Sequence, residues 1–126
     1  MGVLLDCLLV FLGGGLGALS RFGVINMGVF DHDKYYYTVA INITGCLTIG
    51  ILWALFQHWN VGKTWNYLVF TGFLGGYTTY SAFTLDAMQL VQDGQWWRAA
   101  FYVAVTVVGG LGGCALGLFM TEKLLK

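Results

Sequence analysis

Gly72, Gly75 and Gly76 stand just before Thr78, Thr79 and Ser81 in a stretch that is otherwise apolar. Glycine loosens a helix, and nearby hydroxyls can bond the backbone groups that a break exposes. In hydrocarbon those groups must be met by protein, water or an ion. Carbonyls freed in this way suit a small cation such as Na⁺. The alternative is an unbroken helix whose glycines serve packing. Asn42 stands well inside a second apolar stretch, with Thr38 before it and Thr44 close by. A buried amide is costly without partners, so Asn42 bonds another helix or lines a water path. Arg21, near the end of a first stretch, is either a functional cation or a side chain reaching the interface. Thr106 is a lone hydroxyl in a fourth stretch.

Other chemistries lack their residues. Asp6 and Glu122 sit near chain ends, and Asp86 follows the glycine–threonine segment, so no carboxylate marks the middle of a span. No nucleophile triad, nucleotide loop or metal cluster is present. His32 and His58 fall in expected loops as solvated side chains. Cys7, Cys46 and Cys114 lie in apolar stretches without metal-ligand spacing and read as small membrane residues. These absences argue against an enzyme. With no basic run, nucleic acid and nucleotide are not expected partners.

Composition fixes what must position these residues. The chain has 126 residues, 58% hydrophobic and 10% charged. Soluble domains carry about 25% charged residues, so a water-facing surface could not be covered. A spanning helix takes roughly 20 apolar residues, so four would consume most of the chain. The expected spans are 3–25, 37–56, 65–90 and 96–120, and residues 1–126 form a single four-helix transmembrane domain. The third helix is expected to break near its middle. No basic region precedes Val3–Leu12 and Asp6 interrupts it, so the first span reads as retained. The Gly13–Gly17 and Gly109–Gly117 clusters mark close helix seams. Tyr35, Tyr36, Tyr37, Trp59, Trp65, Trp96 and Trp97 form interfacial belts.

Four spans place Lys63, Lys123 and Lys126 on one side and Arg21, Lys34 and Arg98 on the other. With no bias of basic residues, insertion in both orientations and an antiparallel homodimer are expected. The alternative is a small bias hidden by uncertain boundaries.

Three motifs are familiar: Gly14-x-x-Gly17-Ala18-x-x-Arg21-Phe22, Thr38-x-x-x-Asn42-x-x-Gly45, and Thr71-Gly72-Phe73-Leu74-Gly75-Gly76-x-Thr78-Thr79-x-Ser81-x-Phe83. In order and spacing the chain resembles the Fluc (CrcB-type) fluoride channel family over essentially its whole length. The resemblance implies a dual-topology antiparallel homodimer in the inner (plasma) membrane, with two pores and a structural Na⁺ at the dimer axis. It implies passive fluoride export that protects a microbial cell. Gly75 and Thr78 match positions whose carbonyls hold the Na⁺. Asn42 matches a pore asparagine, Tyr80 and Phe83 two pore phenylalanines, and Arg21 a vestibule arginine. Thr38, Thr106 and Tyr102 match pore-side polar positions. The family's usual Thr-Thr-Phe-Ser-Thr-Phe reads Thr78-Thr79-Tyr80-Ser81-Ala82-Phe83 here, and Gly110 stands where many members carry serine.

These residue types suit fluoride. Asn42, Thr79, Ser81 and tyrosine hydroxyls can replace the donors of water. A ring carries positive charge at its edge, which Phe83 can turn toward an anion. Antiparallel packing is expected to bring Asn42 of one subunit against Tyr80 and Phe83 of the other. Two further readings are a small proton-coupled multidrug exporter, which needs an essential carboxylate, and a non-conducting membrane partner subunit.

Overall fold

A computed structural model describes residues 2–30 and 33–126, so Asp31 and His32 lie outside it. It is all helical, with no strand among the described residues. Helix α1 spans Gly2–Ile25, α2 Lys34–His58 and α6 Trp96–Leu124. These three are long and apolar enough to cross a membrane. Between α2 and α6 the chain divides into α3 (Lys63–Asn66), a π-helical stretch (Tyr67–Leu74), α4 (Gly75–Tyr77) and α5 (Tyr80–Gln92).

The helices overrun all three of the loops left between the expected spans. α2 begins at Lys34, where Asp33 caps it by accepting from the Tyr35 amide at 3.1 Å. His58, expected in a loop, is the exposed last residue of α2. The α5–α6 connection is only Asp93, Gly94 and Gln95; Gly94 takes φ +76, which lets α5 end and α6 start at once.

Small residues set the packing. A Cβ on Gly13 or Gly17 would overlap backbone of Leu68 or Phe73, and one on Gly76 would overlap Gly14. Helix α1 therefore meets the 67–77 segment backbone to backbone. In that seam Val10 faces Gly72 and Gly17 faces Tyr77, so both numberings rise together and the two run parallel. Helices α2 and α6 do the same: Ile43 meets Gly109, Leu47 Gly113 and Ile51 Gly117. Buried large side chains are few, and Phe83, Leu90 and Tyr102 among them cluster where α5 meets α6, with Tyr35 and Val39 of α2 packed against them. Most other apolar side chains face outward, as expected where lipid is the solvent.

Candidate ion pathway

Helix α4 ends because Thr78 and Thr79 turn extended, with φ/ψ of −80/158 and −148/111. Several of the backbone groups there have partners in the side chains around them. The Thr78 hydroxyl and amide both donate to the Leu74 carbonyl, at 2.9 and 3.0 Å. The Thr79 hydroxyl accepts from the Ala82 amide at 3.2 Å and so caps α5. Asn42 holds the middle of the segment. Its Oδ1 accepts from the Thr79 amide at 2.8 Å and its Nδ2 donates to the Thr79 carbonyl at 3.0 Å. In an unbroken helix the Thr79 amide would bond the Gly75 carbonyl. Here Asn42 takes it, and the Gly75 carbonyl loses its helical donor.

Asn42 thus holds the Thr78–Thr79 segment of its own chain. Gly45, one turn further along α2, permits this: its Cβ would overlap the Thr78 Cγ2. The Thr44 hydroxyl and the Tyr77 phenol tie the same seam at 2.9 Å.

Beside the segment lies a mostly apolar, open cavity of about 580 Å³. Asn42, Gly75, Thr78, Thr79, Tyr80, Phe83 and Thr106 all line it. Its polar groups are neutral. A primary amide carries two N–H donors, so Asn42 keeps one after serving Thr79. The Thr106 oxygen is buried without a hydrogen bond among the described residues. Tyr80 is 79% exposed, and its ring tilts toward Phe83 at 5.9 Å. Ser81, 3.4 Å from the Thr79 hydroxyl, is exposed and does not line the cavity. Arg21 is half-buried in the last turns of α1, away from it.

Thr38 and Tyr102 come together elsewhere. Both hydroxyls donate to Asp86 Oδ2, at 2.8 and 3.0 Å. Asp86 is 6% exposed, one turn beyond Phe83 on α5. The Phe83 ring stacks on Tyr102 at 5.5 Å, and Tyr102 meets the edge of Tyr35 at 5.8 Å. Rings therefore run without interruption from Tyr80 to Tyr35, with a carboxylate along their side. Sequence reasoning gave Asp86 no role. The available signal was register: Asp86 is three residues after Phe83, and Thr38 is four before Asn42, so each shares a face with a candidate residue.

Apolar helices joined by short turns, with polar groups gathered around one extended dipeptide, define a multi-pass α-helical membrane protein. The comparisons narrow this class. A family described as CrcB-like protein, Camphor Resistance (CrcB), matches residues 8–118. A fluoride-specific ion channel, FluC, from Desulfotalea psychrophila is 32% identical over 99% of this chain and 98% of its own. A fluoride-specific ion channel, FluC 2, from Brucella abortus is 40% identical over 94% and 95%. A FluC from Azotobacter vinelandii is 40% identical over 91% and 95%. The chain belongs to the CrcB-like family. Its relatives are bacterial proteins named as ion channels rather than enzymes, and a multi-pass helical protein of this kind resides in the inner membrane.

Proposed function

We propose that this chain is a passive, fluoride-selective channel, with the ion path running past Asn42, Thr106, Tyr80 and Phe83. The observation that carries the reading is the cavity at Thr78–Thr79, whose polar groups are neutral and whose walls include the aromatic residues Phe70, Tyr80 and Phe83. Neutral donors and positive ring edges favour a small anion, and a narrow path of them rejects cations by sign. Relatives that match almost the full length are named fluoride-specific channels. Fluoride accumulated inside would leave down its gradient, driven also by an inside-negative potential.

In this reading α3 to α5 make one interrupted crossing, the third of four along the chain. The parallel pairing of α1 with the 67–77 segment, and of α2 with α6, is what alternating crossings require. The cavity is open on the side where Tyr80 stands exposed, which is where a second, antiparallel copy would close it and complete two pores. The same face fits a structural Na⁺. Gly75 is exposed and its carbonyl has lost its helical donor to Asn42, leaving a hard oxygen of the kind Na⁺ takes. Gly75 and Thr78 carbonyls of both copies would hold it. When bound it supplies positive charge and a tie between subunits.

A bacterium stripped of its own fluoride exporters should regain growth in millimolar fluoride when it expresses this chain. The C-terminus should be labelled from both sides of the membrane. Unrestored growth contradicts the export reading, and a single uniform orientation contradicts the antiparallel dimer. Tyr80→Phe should conduct at least as well as the parent chain. Its hydroxyl makes no hydrogen bond among the described residues, and the ring edge is the working group. A strong fall in vesicle flux would place the hydroxyl itself on the path.

The buried Asp86 is the one feature that would suit a proton-coupled exporter. It is committed to two hydroxyl donors rather than exposed to the cavity. Flux that requires a proton gradient would favour that second reading.

A further inference from the structure

Beyond Phe83 the ring path passes a buried carboxylate, which would repel an anion unless its charge were offset. Asp86 receives hydrogen bonds from Thr38 and Tyr102, but hydroxyls leave its net charge in place. The cation that faces it is Lys34, whose Nζ stands 3.9 Å from Asp86 Oδ1. Lys34 also donates to the Gln89 side chain, one turn further along α5, and lies over the Tyr35 ring at 5.3 Å. Among the described residues, the other charged groups at this end do not substitute for it. Arg98 is paired with Asp33 across the Tyr35 ring, so those two charges cancel. Asp93, the exposed residue that ends α5, is of the wrong sign.

We propose that Lys34 is the counter-charge that keeps this end of the path open to an anion. It rests on the channel reading above and adds to it a positioning residue outside the cavity. With Lys34 in place, the Lys34–Asp86 pair is neutral beside the Phe83–Tyr102–Tyr35 rings. Without it, one uncompensated negative charge sits where fluoride must leave or arrive. The place Lys34 holds is open to solvent, its side chain being 58% exposed, so in its absence cations of the medium can gather there and partly offset Asp86 as salt is raised.

The test is fluoride efflux from vesicles carrying the full chain, as parent, Lys34→Gln, Lys34→Arg and Lys34→Gln/Asp86→Asn, in low and high impermeant potassium sulfate. Lys34→Gln should lose roughly tenfold in flux at low ionic strength, the lower end of what a focused charge does to ion traffic. The loss should shrink in high sulfate, and Lys34→Arg should stay close to the parent. Asp86→Asn in the Lys34→Gln background should recover most of the flux. The asparagine keeps one oxygen, and one oxygen already accepts both Thr38 and Tyr102. If Lys34→Gln conducts within twofold of a conducting parent, the proposal fails alone. A loss that neither salt nor Asp86→Asn relieves is a structural effect and overturns it equally. A silent parent chain overturns the channel reading, and this inference with it.

Discussion

Replacing Phe83 with Ile should cut fluoride efflux by at least about tenfold, equivalent to about 1.4 kcal/mol on the barrier, while assembly survives. Phe83 is 8% exposed, stacked on Tyr102 at 5.5 Å and tilted against Tyr80 at 5.9 Å. Isoleucine retains a large apolar side chain, so the packing cost is that of a modest cavity plus an aromatic pair worth about 0.5–1.5 kcal/mol. That is a tolerable fraction of a fold also held by the backbone seams of α1 with the 67–77 segment and of α2 with α6. What isoleucine cannot replace is the ring's positive edge. In a site with few polar groups, that edge is one of the few compensations for a stripped hydration shell. Size-exclusion elution should be unchanged while vesicle efflux falls. Flux within twofold of the parent would show that the ring only fills space.

Asn42→Asp should be more severe, about a hundredfold or greater loss of flux. The parent amide both accepts from the Thr79 amide and donates to the Thr79 carbonyl. A carboxylate keeps the first bond, loses the second and faces the carbonyl oxygen with like polarity. It also places a negative charge on the cavity wall, where repulsion of a passing anion at about 4 Å amounts to about 4 kcal/mol at moderate effective dielectric. Asn42→Ala separates the two causes. It adds no charge but leaves the Thr79 N–H and C=O unpaired, at about 1–3 kcal/mol for each buried group. Asn42→Ala should therefore melt at lower temperature yet conduct better than Asn42→Asp. If alanine blocks as completely as aspartate, the clamp on Thr79 matters more than the charge.

The long apolar elements were legible because length and composition decide them: α1, α2 and α6 cover the stretches read as the first, second and fourth spans. Glycine position was equally informative, since Gly13 and Gly17, and Gly113 and Gly117, sit against the backbone of a neighbouring helix. The stretch around Gly72–Ser81 was singled out for local reasons, and Thr78 and Thr79 are where the backbone turns extended. Local pattern could not give the π-helical Tyr67–Leu74, which lies closely against α1. Nor could it give partners far apart in the chain. Asn42 meets Thr79, Thr38 meets Asp86, and Lys34 meets both Asp86 and Gln89 only once α2 is laid beside α5. Thr38 and Tyr102 were matched to pore-side polar positions, and the structure shows both hydroxyls donating to one buried carboxylate, Asp86. That carboxylate drew no attention in sequence because it follows the Gly72–Ser81 segment rather than marking the middle of an apolar run. Only the fold reveals that it is buried behind Phe83.

The most direct test of the central claim uses this chain alone in sealed vesicles loaded with equal fluoride and chloride. Potassium carries the balancing charge through valinomycin, and no proton gradient is imposed. Paired fluoride and chloride electrodes then follow both anions at once. The account predicts rapid fluoride release with chloride retained until detergent is added. Release of both anions together, or of neither, or of fluoride only when a proton gradient is supplied, would contradict it.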